Sequence, residues 1–484
     1  MSRPRLALAV LTLPVLLISI DMTVLGAALP AIGEQLRPTA AEQLWIVDVY
    51  SFVLAGLLVL MGSLGDRIGR RRLLLIGSSA FGVASVLAAF APSAGALVAA
   101  RALLGLGGAT LMPSTFSLLK TAFPAPAARA RAVAVWSAAF SAGAAAGPVV
   151  GGSLLEHFWW GSVFLLNVPV MAGLLVLGPF VLPESRDPHP GRFDVLSAAL
   201  ALTTMLPLVY ALKAVATEGM TLTPTAGLAA LVGLGAGAAF VVRQRVVRDP
   251  LLDLSLFGHR RFGLAVGVNL LGVVGLVGAL LLTPQLLQLV YGLSPLAAAL
   301  WMLPGTLAGV AGALLAQRAA RRVAVAPLVG GALGVGAVGM LVLGLLAHVG
   351  PVVVPIAFVL FAGGIALSEA LTNDLILGAA PADRAGAASA ISETGYELGS
   401  ALGTAVLGSL AAAVYVDRMG AGTLADAVGS GGPAAVLDAA RDAFVSGTSL
   451  AAVVGAGVLA LAGALGAWRL RDPAPTLRGV AAGS

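Results

Sequence analysis

The chain has 484 residues, of which 59% are hydrophobic and only 10% charged, and its mean hydropathy is +1.00. A water-soluble globule of this size must clothe itself in polar groups, so the composition excludes one and implies an all-α polytopic membrane protein. The net charge of +6 comes from arginines in short connections between apolar runs, a topology signal and not a nucleic-acid surface. Cysteine is absent, which excludes disulfides, thiolate metal sites and thiol nucleophiles.

A membrane-spanning helix needs about 20 mostly apolar residues, and fourteen runs qualify. Six begin near Leu8, Trp45, Leu73, Ala96, Ala132 and Val163, two near Val195 and Thr225, and six near Phe262, Pro295, Ala326, Val352, Ala387 and Leu450. The first run outlasts a signal peptide and contains Asp21, so it is expected to be retained as a span. The first six and last six share a rhythm, which predicts two pseudo-repeated bundles with a cavity between them. The expected divisions are 1–185, a two-helix insert at 186–255 opened by a linker with Pro188 and Pro190, and 256–484. The last division contains a long outer loop at about 414–445. Within that loop, 434–444 reads either as a short surface helix or as disordered chain.

Alternate connections carry Arg67, Arg70, Arg71 and Arg72, then Lys120, Arg129 and Arg131, then Arg186 and Arg192, then Arg243, Arg245, Arg248, Arg260 and Arg261, then Arg318, Arg321 and Arg322, then Arg384. The opposite connections hold only Arg37, Lys213, Arg418 and Arg441. By the positive-inside rule both termini face the cytoplasm, which agrees with an even number of spans.

Along the chain, the first chemical signal is Asp21, a carboxylate deep in an apolar run, where charge is costly and usually kept for a pathway or a bound cation. Asp48 stands near the outer start of the second run and reads as either interfacial or functional. The connection after it, Gly62 to Arg72, combines arginines with Gly62, Gly65, Gly69 and Asp66. The glycines allow a tight turn, and Asp66 can cap a helix or pair with an arginine, making a latch that breaks and re-forms. Arg101 opens the fourth span and must either find acceptors or snorkel to an interface. In the fifth, Gly143, Gly147, Pro148, Gly151 and Gly152 put small residues on one face beside a bend, a pattern for close helix packing.

The twelfth span carries Glu369 and Asp374, the latter also explicable as interfacial. In the thirteenth, Glu393 and Glu397 are four apart and share a helix face, roughly 12 and 18 Å along it. Carboxylates so close in low dielectric do not both ionise readily, a property suited to proton exchange, although polar ties to other helices would also explain them. Tyr50, Phe140 and Tyr396 are the aromatics selected as cation–π partners in a cavity. His157, His189, His259 and His348 lack metal-ligand spacing, and no phosphate-binding loop appears, so neither a metal nor ATP is expected.

Several of these segments resemble known motifs. Gly62–Arg72 resembles the signature loop of the major facilitator superfamily, with Arg131 as a further latch residue. The corresponding Gln317–Arg322 loop keeps basic charge but lacks Asp and Gly. Arg101–Ala109 with Pro113 resembles the fourth-helix motif, whose arginine is implicated in proton coupling. Gly143–Gly152 resembles the antiporter motif of exporters. Asp21-Met-Thr23 with Ala28-Leu29-Pro30 is similar to the first-helix motif of fourteen-span drug:proton antiporters, although Gly26 replaces a common Asn. Gln43–Gly56 is similar to the quaternary-ammonium exporters of the QacA/SmvA type.

The resemblance implies the major facilitator fold and a monomer in a bacterial cytoplasmic membrane. It also implies export of lipophilic organic cations against proton entry, with no cofactor, and membrane lipid as the surroundings. Asp21, Glu393 and Glu397 lead as proton-coupling and cation-binding residues, followed by Asp374, Asp48, Glu369 and Arg101. The alternatives are a dedicated exporter of an endogenous metabolite or antibiotic, and a non-transporting membrane sensor.

Overall fold

In hydrocarbon every backbone N–H and C=O must be satisfied within the chain, so apolar runs of this length fold as helices. The computed structural model describes residues 3–187, 193–217, 223–247, 250–379, 385–420, 422–431 and 433–470. Pro188 and Pro190 lie outside them. Among the described residues fourteen helical spans are present, one for each run expected from the sequence.

The first six spans are α1 (Arg3–Leu36), α2 (Ala40–Ile68), α3 (Arg70–Ala89), α4 (Ala94–Ala122), α5 (Pro126–His157), and a sixth broken into α6 (Ser162–Leu165) and α7 (Asn167–Val181). Two more are α8 (Val195–Thr217) and α9 (Pro224–Val246). The last six comprise α10 (Arg260–Gln285), α11 (Pro295–Ala320), α12 (Val325–Leu346), α13 (Val353–Ala379), the pair α14 (Ala385–Gly403) and α15 (Ser409–Met419), and α17 (Ala434–Arg469). A short α16 (Leu424–Gly429) precedes the last. Local chemistry sets many of the starts. Thr39 and Glu42 form a reciprocal capping box, and Ser93, Thr223 and Ser294 accept from the first-turn amides of their helices. Pro284 interrupts the hydrogen-bond ladder of α10, and a π-helical turn, Leu286–Val290, follows it.

Even-numbered spans all finish at the end of the bundle that carries the Arg67–Arg72 loop, called here the basic end; the other is the far end. Within the first half, α1 packs on α5 and α2 on α4. Within the second, α11 packs on α13 and α12 on both α13 and α17. The inserted α8 lies against α2 and α15, with α9 behind it, so the extra pair flanks the seam between the halves. Glycine makes the α2–α8 approach close: a Cβ on Gly56 would overlap the Leu202 side chain.

The halves meet at the far end. A Cβ on Gly152 of α5 would lie 2.8 Å from the Leu296 Cα and the Pro295 carbonyl oxygen of α11. Gln43 donates to Gln285 at 3.0 Å and Gln288 to the Ala27 carbonyl at 3.1 Å, and Arg37 faces Asp426 at 3.9 Å. At the basic end the halves part around a cavity.

The expected long loop at 414–445 is instead mostly helical. The helix α15 runs on to Met419 and stops at Gly420, whose φ of +84° favours glycine. Segment 434–444 is helical and continuous with the last span, so α17 begins sixteen residues before Leu450. At 1.5 Å per residue its 36 residues reach about 54 Å, well beyond a hydrocarbon core of roughly 30 Å. The excess is stabilised by burial: Tyr415, Leu424, Ala425, Ala440 and Ala443 form a small apolar core that caps the far end. Sequence hydropathy missed this cap because half of its buried residues are alanines spaced among polar ones.

Candidate functional site

Asp21 is buried and fully engaged. Arg101 of α4 donates to it at 2.9 Å and Asn167 at 3.2 Å, and Asn167 also donates to Ser85 at 3.1 Å. The guanidinium further donates to the Ile46 carbonyl and lies 4.7 Å from the centre of the Tyr50 ring. Four helices of the first half therefore converge on one ion pair, with both side chains at most 2% exposed. Arg101 does not snorkel; it finds acceptors. Asp21, expected to face a bound cation directly, faces Arg101 and lines neither of the two cavities described next, because the guanidinium already neutralises it.

Between the halves, from mid-depth toward the basic end, lies a cavity of about 400 Å³. Glu369 of α13 and Glu393 and Glu397 of α14 open onto it, opposite Phe116, Trp136 and Phe140 of the first half, with Tyr396 beside the glutamates. Leu54, Leu58 and Met112 supply apolar wall. Glu393 and Glu397, which their spacing puts on one helix face, both line this cavity. Glu397 is 7% exposed and lies beside Ser51 of α2, while its Oε2 is buried without a partner. Three carboxyls in a mostly apolar, aromatic-walled chamber between two halves can hold an organic cation, or protons in its place.

A second cavity of about 100 Å³ lies farther toward the far end. Tyr396 lines both, and Asp48, Tyr50, Ser51, Arg101, Pro148 and Ser400 line this one. Tyr50, expected in the substrate cavity, sits here beneath Arg101 instead. Asp48 is not interfacial. It is buried and paired with Lys213 of α8 at 2.8 Å, and the ammonium lies 3.8 Å from the centre of the Trp45 ring.

Asp374 is exposed near the basic end, where it accepts from Gln317 of α11, outside both cavities. The weakened second loop thus still makes a tie, through an amide. In the first loop Asp66 pairs with Arg70 at 2.6 Å. Gly69, at φ +107°, turns the chain between α2 and α3, and Gly65 leaves room for the Arg70 side chain. The turn is strapped to the end of α7. Arg71 N donates to Glu184 at 2.9 Å, Arg70 N to the Ser185 carbonyl at 2.8 Å, and Asp187 N to the Asp66 carbonyl at 3.0 Å. Gly62 lies alongside Pro113 and Arg70, and Arg67 faces the Phe193 ring at 5.9 Å. Arg131 does not join the latch; its Nε donates to Ala127 within its own helix. Gly143, Gly147 and Gly151 admit Leu16, Thr23 and Val24 of α1 respectively, and Gly152 faces the other half.

Sequence reasoning did not select Lys213, Asn167, Glu184 or Phe116 for these roles. Lys213 and Glu184 sit near helix ends, where charge reads as topology. Phe116 had a signal: it follows Met112 by one helical turn.

Two helical halves closed at one end around a carboxyl-bearing cavity at mid-depth are the architecture of a membrane transporter. The chain belongs to the Major Facilitator Superfamily, which it matches over residues 11–404. It is similar to the multidrug efflux pump LfrA of Mycolicibacterium smegmatis, 50% identical over 96% of this chain and 95% of that one. The methyl viologen resistance protein SmvA of Salmonella typhimurium is 36% identical over 97% and 98% of the two chains. Among solved structures, a bacterial homologue of the human lysosomal transporter Spinster, inward-facing and unoccupied, superposes with a TM-score of 0.67 over 96% of this chain and 98% of that one, at 17% identity.

Proposed function

We propose that this protein exports lipophilic organic cations across a bacterial cytoplasmic membrane in exchange for protons. The observation that carries the reading is the grouping of Glu369, Glu393 and Glu397 with Phe116, Trp136, Phe140 and Tyr396 around one cavity between the halves. Full-length similarity to a multidrug efflux pump and to a protein named for resistance to methyl viologen, a bis-quaternary cation, supports it. The basic end faces the cytoplasm, by the excess of arginine there, and α1 begins and α17 ends on that side. With the cavity open inward, ionised glutamates and aromatic faces attract the cation from the cytoplasm. The halves then rock so that the far-end contacts at Gly152 and Gln43–Gln285 part and the basic end closes. Protons arriving from outside displace the cation, and the proton-loaded carrier returns. Glu397 of the second half lies beside Ser51 of the first, so protonation of Glu397 acts where the halves meet. Asp21 acts indirectly, by holding Arg101 over Tyr50.

A second reading, export of a single antibiotic, has one observation in its favour. The tetracenomycin C resistance and export protein of Streptomyces glaucescens is 34% identical over 86% of this chain. The deciding experiment reconstitutes the protein in liposomes with a fluorescent quaternary ammonium dye and follows dye and pH together. Dye movement that requires the pH gradient and carries protons the other way is expected, and is expected to be lost in Glu397→Gln and Glu393→Gln. Dye movement that ignores the gradient would overturn proton coupling. No movement for any of several cations would favour the single-antibiotic reading.

A further inference from the structure

The Asp48–Lys213 pair is unlike a structural ion pair in three respects. Its ammonium is held by an aromatic face and a carboxylate together, the combination that recognises organic ammonium ligands. Asp48 lines the 100 Å³ cavity, and its second oxygen is buried without a hydrogen-bond partner. The cation is also a lysine, one of two among 28 basic residues. An arginine would make a stronger two-point tie, whereas a compact ammonium is the group that matches a substrate headgroup. Lys213 further comes from α8, part of neither six-helix half.

We propose that Trp45 and Asp48 form a second ammonium site on the release side of the transport path, and that the Lys213 side chain occupies it in place of a substrate headgroup. The position on the release side rests on the reading of the protein as a cation exporter. A tethered ammonium is present at high effective concentration, so a free cation leaving the central cavity past Tyr396 meets a carboxylate already neutralised. Release toward the far end is therefore weak-binding and fast. The inserted helices thereby serve transport directly, since α8 delivers the resident cation that keeps the exit from becoming a trap.

Lys213→Ala removes the side chain beyond Cβ, which is n-propylammonium in outline. The test is the thermal unfolding midpoint of purified protein titrated with n-propylammonium, with n-propanol as the neutral control. A saturable rise is expected in Lys213→Ala, absent in the wild type and absent when Asp48→Asn is added. No rise in Lys213→Ala, an equal rise in the wild type, or a rise that survives Asp48→Asn overturns the proposal. Should Lys213→Ala not fold, Lys213→Met keeps the stem and removes the charge. In proteoliposomes this variant is expected to lower both KM and kcat severalfold, because the cation lingers at the vacated site; unchanged constants overturn the proposal. Absence of proton-driven transport in the wild type would sink the exporter reading while leaving the amine titration to decide the site.

Discussion

Arg101 closes on Asp21 at 2.9 Å, with the two side chains only 2% and 1% exposed. The pair is fixed by Asn167 on one side and by the Ile46 carbonyl on the other. Breaking a buried pair by removing one partner leaves a charge uncompensated, at a cost of about 3–5 kcal/mol. Asp21→Ala is expected to lower the unfolding midpoint of the purified protein accordingly and to abolish transport. Asp21→Asn keeps the shape and an acceptor, so it separates charge from packing. It is expected to fold yet lose gradient-driven transport, and full transport in a folded Asp21→Asn would reduce the pair to scaffolding.

Gly69 carries the latch. Its φ of +107° disfavours any side chain, and a Cβ there would sit 2.7 Å from Glu184 Oε1. Gly69→Ala therefore strains the backbone by about 1–3 kcal/mol and pushes Glu184 away from the Arg71 amide. Transport in proteoliposomes should fall sharply while binding of a substrate cation to detergent-solubilised protein persists. Glu184→Gln, which keeps an acceptor, should be milder. Equal transport by Gly69→Ala and the wild type would show that the strap to α7 plays no part in the cycle.

The acids that the sequence offered separate by what surrounds them, and that is where legibility ended. The spacing of Glu393 and Glu397 placed both on one face, because helical period is a local property. Asp21 read as deep in its run and Asp48 as near the outer start of its own, yet each is neutralised by a cation far away in the chain, Arg101 and Lys213. Nothing in a local pattern announces such a partner. The same holds for the far-end cap, where alanine burial at Ala440 and Ala443 depends on what packs there. Fourteen spans were readable because length and apolarity suffice for a helix in lipid.

Asp194 caps the start of α8 just outside the span, accepting from Ser197 and from Arg243 of α9 at 2.8 Å. Burial pushes its carboxyl up, but the Arg243 and Ser197 hydrogen bonds together with the Arg243 charge outweigh that and hold it below its ordinary value of 3.8. The folded state thus favours the ionised form. Its contribution to stability is complete above 3.8 and is lost as pH falls through the lower folded value. The wild-type unfolding midpoint should drop as pH is taken from about 5 to about 3, and Asp194→Asn should start lower and drop less. A parallel pH course in the two proteins would remove Asp194 from the acid response.

Gly152 is where the halves touch backbone to backbone. A Cβ there would meet the Leu296 Cα and the Pro295 oxygen at 2.8 Å, and main chain cannot swing aside as a flexible side chain does. Gly151, its neighbour, faces Val24 of the same half, so it serves as the control for general packing damage. Gly152→Ala is expected to pry the far end open and shift the population toward the outward-open state. The absence of cysteine makes this measurable without background: Thr404→Cys reports on the small cavity beyond Tyr396. A membrane-impermeant maleimide applied from outside should label Thr404→Cys several times faster when Gly152→Ala is present, and Gly151→Ala should leave the rate near that of Thr404→Cys alone. Equal labelling with and without Gly152→Ala would mean that the far-end seal does not depend on this contact.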